Sequence, residues 1–395
     1  MPPSTQLSVL MISDVYFPRI NGVSTSIETF RESLAKLDIR VRLVAPAYPQ
    51  AHTDDPETWR VSARTIFFDP EDRLMRYRKL NALLSELCTE QPPDLIHVQT
   101  PFVAHYAGLR LARQIDRPIV ATCHTLFEEY AHAYLPWLPE RLLRAGARAI
   151  SRRQGNDLAT VIVPSSAMRA RLLDYGVRVP TVVVPTGIRP ECFAGGDGAR
   201  FRARLGLDAG CAVALFVGRV AHEKNIGFLL DVAARVRERV PDFVLVIAGE
   251  GPARPALEAR AASLGMEANV RFVGYLDRRQ ELPDCYAAAD AFVFASRTET
   301  QGLVLLEAMA AGVPVLALAE MGTRDILEPA HGALIAPDDV SGFSDMLVTL
   351  LRDPAERRRL QGAAREDAAA WSADAQARRL AECYRQVVAA HRYGA

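Results

Sequence analysis

The chain has 395 residues, 49% of them hydrophobic and 24% charged, with 47 Lys+Arg balanced by 47 Asp+Glu. That is the composition of a soluble globular protein with room for two domains of ~150 residues each. Zero net charge excludes a general polyanion binder, so nucleic acid is not an expected partner. The six cysteines (Cys88, Cys123, Cys192, Cys211, Cys285 and Cys383) follow no metal or redox spacing, so reduced thiols and no structural metal are expected. The N-terminus lacks a charged segment followed by an apolar core, and no apolar run approaches the ~18 residues of a membrane span. These features place the chain in the cytoplasm or on a membrane surface.

Leu7 to Ile12 is an apolar run of strand type, followed by SDVYFPRINGVSTS and a helix from about Ser24 to Lys36. Gly22 lies at that junction, where the lack of a side chain lets backbone approach a ligand. Further strands are expected at Arg40–Ala45, Leu95–Val98, Ile119–Thr122, Val161–Pro164 and Val182–Val184, with a helix from about Ala104 to Gln114. The β-α-β alternation implies a parallel sheet. His124 follows the fourth of these strands, at the edge where such sheets collect ligands. Glu128, Glu129, Tyr130 and His132 come next and read either as acceptor-binding groups or as a solvated face. In PERLLRAGARAISRR, Arg141, Arg144, Arg148 and Arg152 recur at helical spacing beside Leu142, Leu143 and Ile150. A basic amphipathic helix of this kind suits an anionic lipid surface, or else forms a charged solvent face.

PTGI followed by AGGDG reads as a link, setting a first domain at 1–190 and a second at 191–372. Val213–Val217 restarts the strand pattern and runs into GRVAHEKNIGFLL. Arg219 and Lys224 flank that loop; a forked guanidinium and a point-charge ammonium together suit a diphosphate. GEGPARPAL after Phe243–Ala248 lacks the remainder of a dinucleotide fingerprint, and no P-loop motif occurs. Val270–Leu276 is a further strand and loop, followed by a helix from Leu282 to Ala289. The stretch ASRTETQGLVLLEAMAAGVPVLAL then reads strand end, loop, helix, Gly turn and strand. Its carboxylates Glu299 and Glu307 lie in the loop and in the helix. Gly302 and Leu303 would point backbone N–H groups out of the helix start, where a phosphate is electrostatically welcome.

ETQGLVLLEAMAAGVPV resembles the E-x7-E signature of the retaining glycosyltransferases of family 4. YFPRINGVSTSIETF, ATCHTLFEEY and GRVAHEKN resemble that family's first loop, strand-His element and phosphate-binding element, in the family's order. The resemblance implies the α/β GT-B fold, two Rossmann-like domains with parallel sheets facing across a cleft, the C-terminal helix (373–395) packing back on the first. It further implies that Arg219, Lys224, Gly22 and the helix start at Gly302 and Leu303 hold the donor diphosphate. Glu307 would take ribose hydroxyls, and Glu299, with Thr300, Gln301 and Gly302, the sugar. His124 would stand beside the reacting carbon. No cofactor or metal is expected, since Arg219 and Lys224 take the electrostatic role and no D-x-D motif occurs. The implied reaction is hexose transfer with retention, from UDP-glucose or GDP-mannose to a membrane lipid such as diacylglycerol, on the inner face of the cytoplasmic membrane. A soluble or polysaccharide-precursor acceptor, and a non-catalytic sugar-nucleotide-binding scaffold, are the alternatives.

Overall fold

Strands in this chain are near-continuous apolar runs, LSVLMI, AVALFV, FVLVIA and AFVF among them, as expected where both faces of a parallel sheet are covered. The computed structural model describes residues 6–49, 53–66, 69–125, 139–208 and 210–394. It divides into two units, Met1–Gly187 with Ala373–Ala395, and Ile188–Ser372.

The first unit carries β1 (Leu7–Ile12), β2 (Ile39–Pro46), β3 (Thr58–Val61), β4 (Ala63–Ile66), β5 (Asp69–Met75), β6 (Leu95–Val98), β7 (Ile119–Thr122), β8 (Thr160–Val163) and β9 (Thr181–Val183). Apart from the antiparallel pair β4–β5, these make one sheet in the order β3-β2-β1-β6-β7-β8-β9, parallel throughout. Its helices are α1 (Gly22–Ala35), α2 (Tyr77–Glu90), α3 (Val103–Ile115), α4 (Glu140–Asn156) and α5 (Ser166–Asp174). Asn21 caps α1 by accepting from Ser24 N at 2.9 Å, and Ser165 caps α5 by accepting from Met168 N at 3.3 Å.

The second unit carries β10 (Ala212–Val217), β11 (Phe243–Ala248), β12 (Val270–Gly274), β13 (Ala291–Phe294), β14 (Val315–Ala317) and β15 (Ala333–Ile335). They form a parallel sheet in the order β12-β11-β10-β13-β14-β15. Its helices are α6 (Gly198–Arg204), α7 (Ile226–Arg237), α8 (Arg254–Ser263), α9 (Glu281–Ala287), α10 (Leu303–Ala310), α11 (Arg324–Leu327), α12 (Val340–Arg352) and α13 (Pro354–Ala369). The fold is α/β, with a Rossmann-like parallel sheet in each half.

Sequence reasoning assigned no element to residues 47–94, between β2 and β6. The structure places β3, β4, β5 and α2 there. β3 to β5 are short and mostly polar (TWRV, ARTI, DPEDRLM), but α2 carries Leu80, Leu83, Leu84, Leu87 and Cys88 at helical spacing, a signal that sequence reasoning missed. The AGGDG stretch that composition marks as a link belongs to the second unit. A Cβ on Gly196 would fall 2.1 Å from Pro283 O and one on Gly198 2.3 Å from Ala287 O, so these glycines serve close packing on α9.

After Ser372 the chain returns to the first unit as α14 (Ala373–Tyr393). Ala377, Leu380, Ala381, Tyr384, Val387 and Val388 join Val9, Met11, Ile27, Phe30 and Leu34 in one core. Lys36 meets Asp374 at 2.9 Å and Arg392 meets Asp94 at 2.6 Å, but both pairs are exposed and contribute little beside that burial. Leu380 is 1% exposed. Leu380→Ala is therefore expected to cost about 2–5 kcal/mol in urea unfolding of the first unit.

Candidate active site

From β10 the second unit winds outward to β11 and β12, then returns to β13 on the other side of β10. The direction of winding reverses between β10 and β13, and open α/β sheets bind ligands at the carboxyl ends of two such strands. The loops leaving those ends are Gly218–Asn225, with Arg219 and Lys224, and the loop of Glu299, Thr300, Gln301 and Gly302. Lys224 Nζ donates to Glu299 Oε2 at 2.5 Å, both side chains being less than one-fifth exposed. Arg219 is exposed on the same loop as Lys224.

Backbone contacts hold the two loops together. Ser296 Oγ donates to Glu223 O at 3.1 Å, and Asn225 Nδ2 donates to Ala295 O at 3.2 Å. Gly322, after β14, donates its N–H to Glu299 O at 2.9 Å, and a Cβ on it would lie 1.9 Å from Thr300 O. Gly302 precedes α10 at φ 95°, a left-handed conformation that disfavours side chains, and turns the chain so that Leu303 opens the helix. Thr300 is half-buried, while Gln301 and Gly302 are buried.

Glu307 lies within α10 and is 3% exposed. Arg278 Nη2 donates to its Oε1 at 2.7 Å and Tyr286 OH to its Oε2 at 2.8 Å. The nearby carboxylate raises the Arg278 guanidinium, while burial first, and Glu307 second, push the Tyr286 phenol well above its ordinary value. A half-buried arginine and a buried phenol thus hold the carboxylate in one orientation. Sequence reasoning had missed both. Arg278 sits in an unremarkable DRRQ run and Tyr286 on the apolar face of α9, with no spacing to tie either to Glu307.

In the first unit the winding reverses between β1 and β6. Asp14 follows β1, Gln99 and Thr100 follow β6, and His124 follows β7. Asp14 Oδ2 accepts from Thr100 Oγ1 at 2.8 Å and from Ala104 N, in the first turn of α3, at 3.0 Å. Burial raises its carboxyl to about 6 despite those donors. His124 Nε2 lies 3.0 Å from Gln99 Oε1, and burial lowers the imidazole to about 4. Gly22 is the first residue of α1, rather than preceding it, and a Cβ there would meet nothing within 4 Å. The fold itself therefore does not require glycine at this position. Asp14 and Gln99 are further residues that no sequence motif marked.

Arg141, Arg144, Arg148 and Arg152 are exposed on α4 together with Leu142 (64%) and Ile150 (50%). The Arg148 guanidinium lies over the Tyr175 ring, 5.4 Å from its centroid. Beside this helix, Tyr77, Tyr106, Arg110, Arg113 and Arg153 line a groove of about 540 Å³. No helix of the described residues is long and apolar enough to cross a membrane. Glu128, Glu129, Tyr130 and His132 lie outside the described residues.

Comparison with known proteins identifies the family and the fold. Residues 20–191 match the family model "Glycosyltransferase Family 4", and residues 197–367 match "Glycosyl transferases group 1". The chain is 34% identical to the alpha-monoglucosyldiacylglycerol synthase of Streptococcus pneumoniae over 78% of this chain and 70% of that protein. It is 29% identical to a GDP-mannose-dependent alpha-mannosyltransferase of Mycolicibacterium smegmatis over 91% of this chain and 92% of that one. Among solved structures, Anabaena HepE in complex with UDP-glucose superposes with a TM-score of 0.74 at 18% identity, over 96% of this chain and all of that one. The chain belongs to the family 4 glycosyltransferases; its fold is GT-B, and it is a hexosyltransferase.

The raised Asp14 carboxyl has a thermodynamic consequence. Its value of about 6 exceeds the ordinary 3.8, so the folded state holds this proton more tightly than the unfolded chain. Relative to the protonated form, stability falls as pH rises through that window, by on the order of 3 kcal/mol. Asp14→Asn should melt above the wild type at pH 7, with the difference closing near pH 4 in a series of thermal scans.

Proposed function

We propose that this enzyme transfers glucose or mannose from UDP-glucose or GDP-mannose to a hydroxyl of a membrane lipid, diacylglycerol or a related glycolipid, with retention of anomeric configuration. The observation that carries the reading is the contact between Lys224 and Glu299 across the switch between β10 and β13. A nucleotide sugar breaks between its sugar and its diphosphate, so a cation for the phosphate and an acceptor for sugar hydroxyls must stand side by side.

In this reading Arg219 and Lys224, with the N–H groups at Gly302 and Leu303, stabilise the charge that grows on the leaving diphosphate. That replaces the electrostatic role of a metal ion. Glu299 accepts from sugar hydroxyls with Thr300 and Gln301 beside it, and Glu307, held by Arg278, accepts from the ribose. Gly22 and His124 keep the roles implied by the resemblance, at the diphosphate and at the reacting carbon. The acceptor hydroxyl attacks on the face from which the phosphate departs and gives its proton to the leaving oxygen, a course that needs no protein nucleophile.

The lipid acceptor is supported by the activity for which the pneumococcal relative is named and by the exposed arginines and apolar residues of α4. Such a face binds anionic lipid at the inner surface of the cytoplasmic membrane.

Purified protein should move label from one of the two donors into the organic phase when given diacylglycerol in anionic vesicles, and a chelator should leave the rate unchanged. Bound donor with no label entering lipid would sink the lipid acceptor and turn attention to soluble or polysaccharide-precursor acceptors. Glu299→Ala and Arg219→Ala should each lower turnover by about 100-fold or more while remaining folded by circular dichroism. Normal turnover in either would remove that residue from the site.

A further inference from the structure

His124 is one end of a buried chain of polar groups that leads to the C-terminal helix. Tyr384 on α14 is fully buried, and its OH lies 2.6 Å from His97 Nδ1. His97, 1% exposed in the middle of β6, has Nε2 2.8 Å from Thr122 Oγ1. Gln99, 4% exposed, has Nε2 3.1 Å from His97 Nδ1, and its Oε1 faces His124 Nε2 at 3.0 Å.

These contacts allow two self-consistent proton arrangements. In the first, His97 carries its proton on Nε2 and gives it to Thr122, and its Nδ1 lone pair receives the Tyr384 hydroxyl and the Gln99 amide. The Gln99 carbonyl is then turned to His124, which must carry its proton on Nε2. In the second, the His97 proton is on Nδ1, the Gln99 amide is reversed, and the Tyr384 oxygen accepts, which leaves its buried O–H with no acceptor among the described residues. The Gln99 NH₂ then requires a bare His124 Nε2, so the His124 proton moves to Nδ1.

We propose that Tyr384 and Gln99 are positioning residues for His124: the phenol fixes the His97 tautomer, His97 fixes the Gln99 amide, and the amide fixes the His124 proton on Nε2. Burial and its neighbour His124 lower His97 to about 3, and burial raises Tyr384 well above its ordinary value. Cys123, beside His124 in sequence, is raised to about 11 by burial. These groups are neutral near pH 7, so along this chain of contacts hydrogen bonds rather than charge distinguish the tautomers. The proposal rests on the functional reading only for its effect on turnover; the tautomer is a property of the folded chain.

The test is long-range proton–nitrogen NMR of the histidine rings in the full chain. Wild type should show His124 protonated on Nε2 alone between pH 6 and 8. Tyr384→Phe, which keeps the ring and deletes the donor, should show both tautomers at His97 and at His124. Gln99→Glu added to Tyr384→Phe should restore the single His124 form, because a carboxylate accepts from both rings. Gln99→Leu gives a second route should Tyr384→Phe not fold, and should also mix the His124 tautomers. An unchanged single His124 tautomer in folded Tyr384→Phe, or in Gln99→Leu, overturns the proposal. In turnover, Tyr384→Phe should lower kcat by about tenfold with donor KM unchanged, and the double variant carrying Gln99→Glu should recover most of it. If His124→Ala leaves turnover intact while the tautomers shift as described, the role of His124 in catalysis falls and the positioning chain stands.

Discussion

At the carboxyl edge of the second sheet, neighbouring loops pass so close that backbone touches backbone. A Cβ on Gly249 would lie 2.0 Å from Gly218 O, one on Gly251 2.4 Å from Val220 O, and one on Gly322 1.9 Å from Thr300 O. Hydrogen bonds follow the same seams, Gly218 N to Ala248 O at 3.0 Å and Ala253 N to Val220 O at 3.0 Å. Each loop is thereby the wall of the next. Arg219, Lys224 and Glu299 are long side chains mounted on this wall, so their heads can move while their roots stay fixed. A site on loops needs that rigidity if groups from separate segments are to meet one ligand.

Within that frame the charges are matched in pairs of different character. Lys224 with Glu299 stands at the rim and is partly wet, so an arriving anion competes with the carboxylate for a cation that has three donors to share. Arg278 with Glu307 is unequal, a half-buried arginine reaching in to a deep acid. The acid is almost wholly buried there, and removing its partner would strand a carboxylate in the interior. One pair is suited to exchange partners and the other to hold still.

What was legible in the sequence follows from which signals are local. Leu95–Val98, Ile119–Thr122, Phe243–Ala248 and Ala291–Phe294 announce themselves because a strand covered on both faces is near-continuously apolar. The polar loops after them mark the ligand edge, so Arg219, Lys224, Glu299 and His124 stood out. Arg278 and Tyr286 did not, because their meaning lies in contacts with Glu307 across 29 and 21 residues of sequence. Tyr384 meets His97 across 287. The short strands TWRV, ARTI and DPEDRLM were illegible for the opposite reason, being too polar to leave a pattern, whereas the helical stripe of Leu80, Leu83, Leu84, Leu87 and Cys88 in α2 was there to be found and was missed. Gly196 and Gly198 misled because close packing and flexibility select the same residue.

The return of α14 to the first unit also has a consequence for the order in which the chain acquires structure. Ile188–Ser372 is continuous and has all its parts once it has left the ribosome. The first unit has its sheet by Val183 but lacks the apolar face of α14, which covers Ile27, Phe30 and Leu34. At ~5–20 residues per second, the wait for that helix lasts on the order of ten seconds or more. Throughout it, one side of α1 has nothing to pack against, so the half of the molecule that is made first is the half that is finished last.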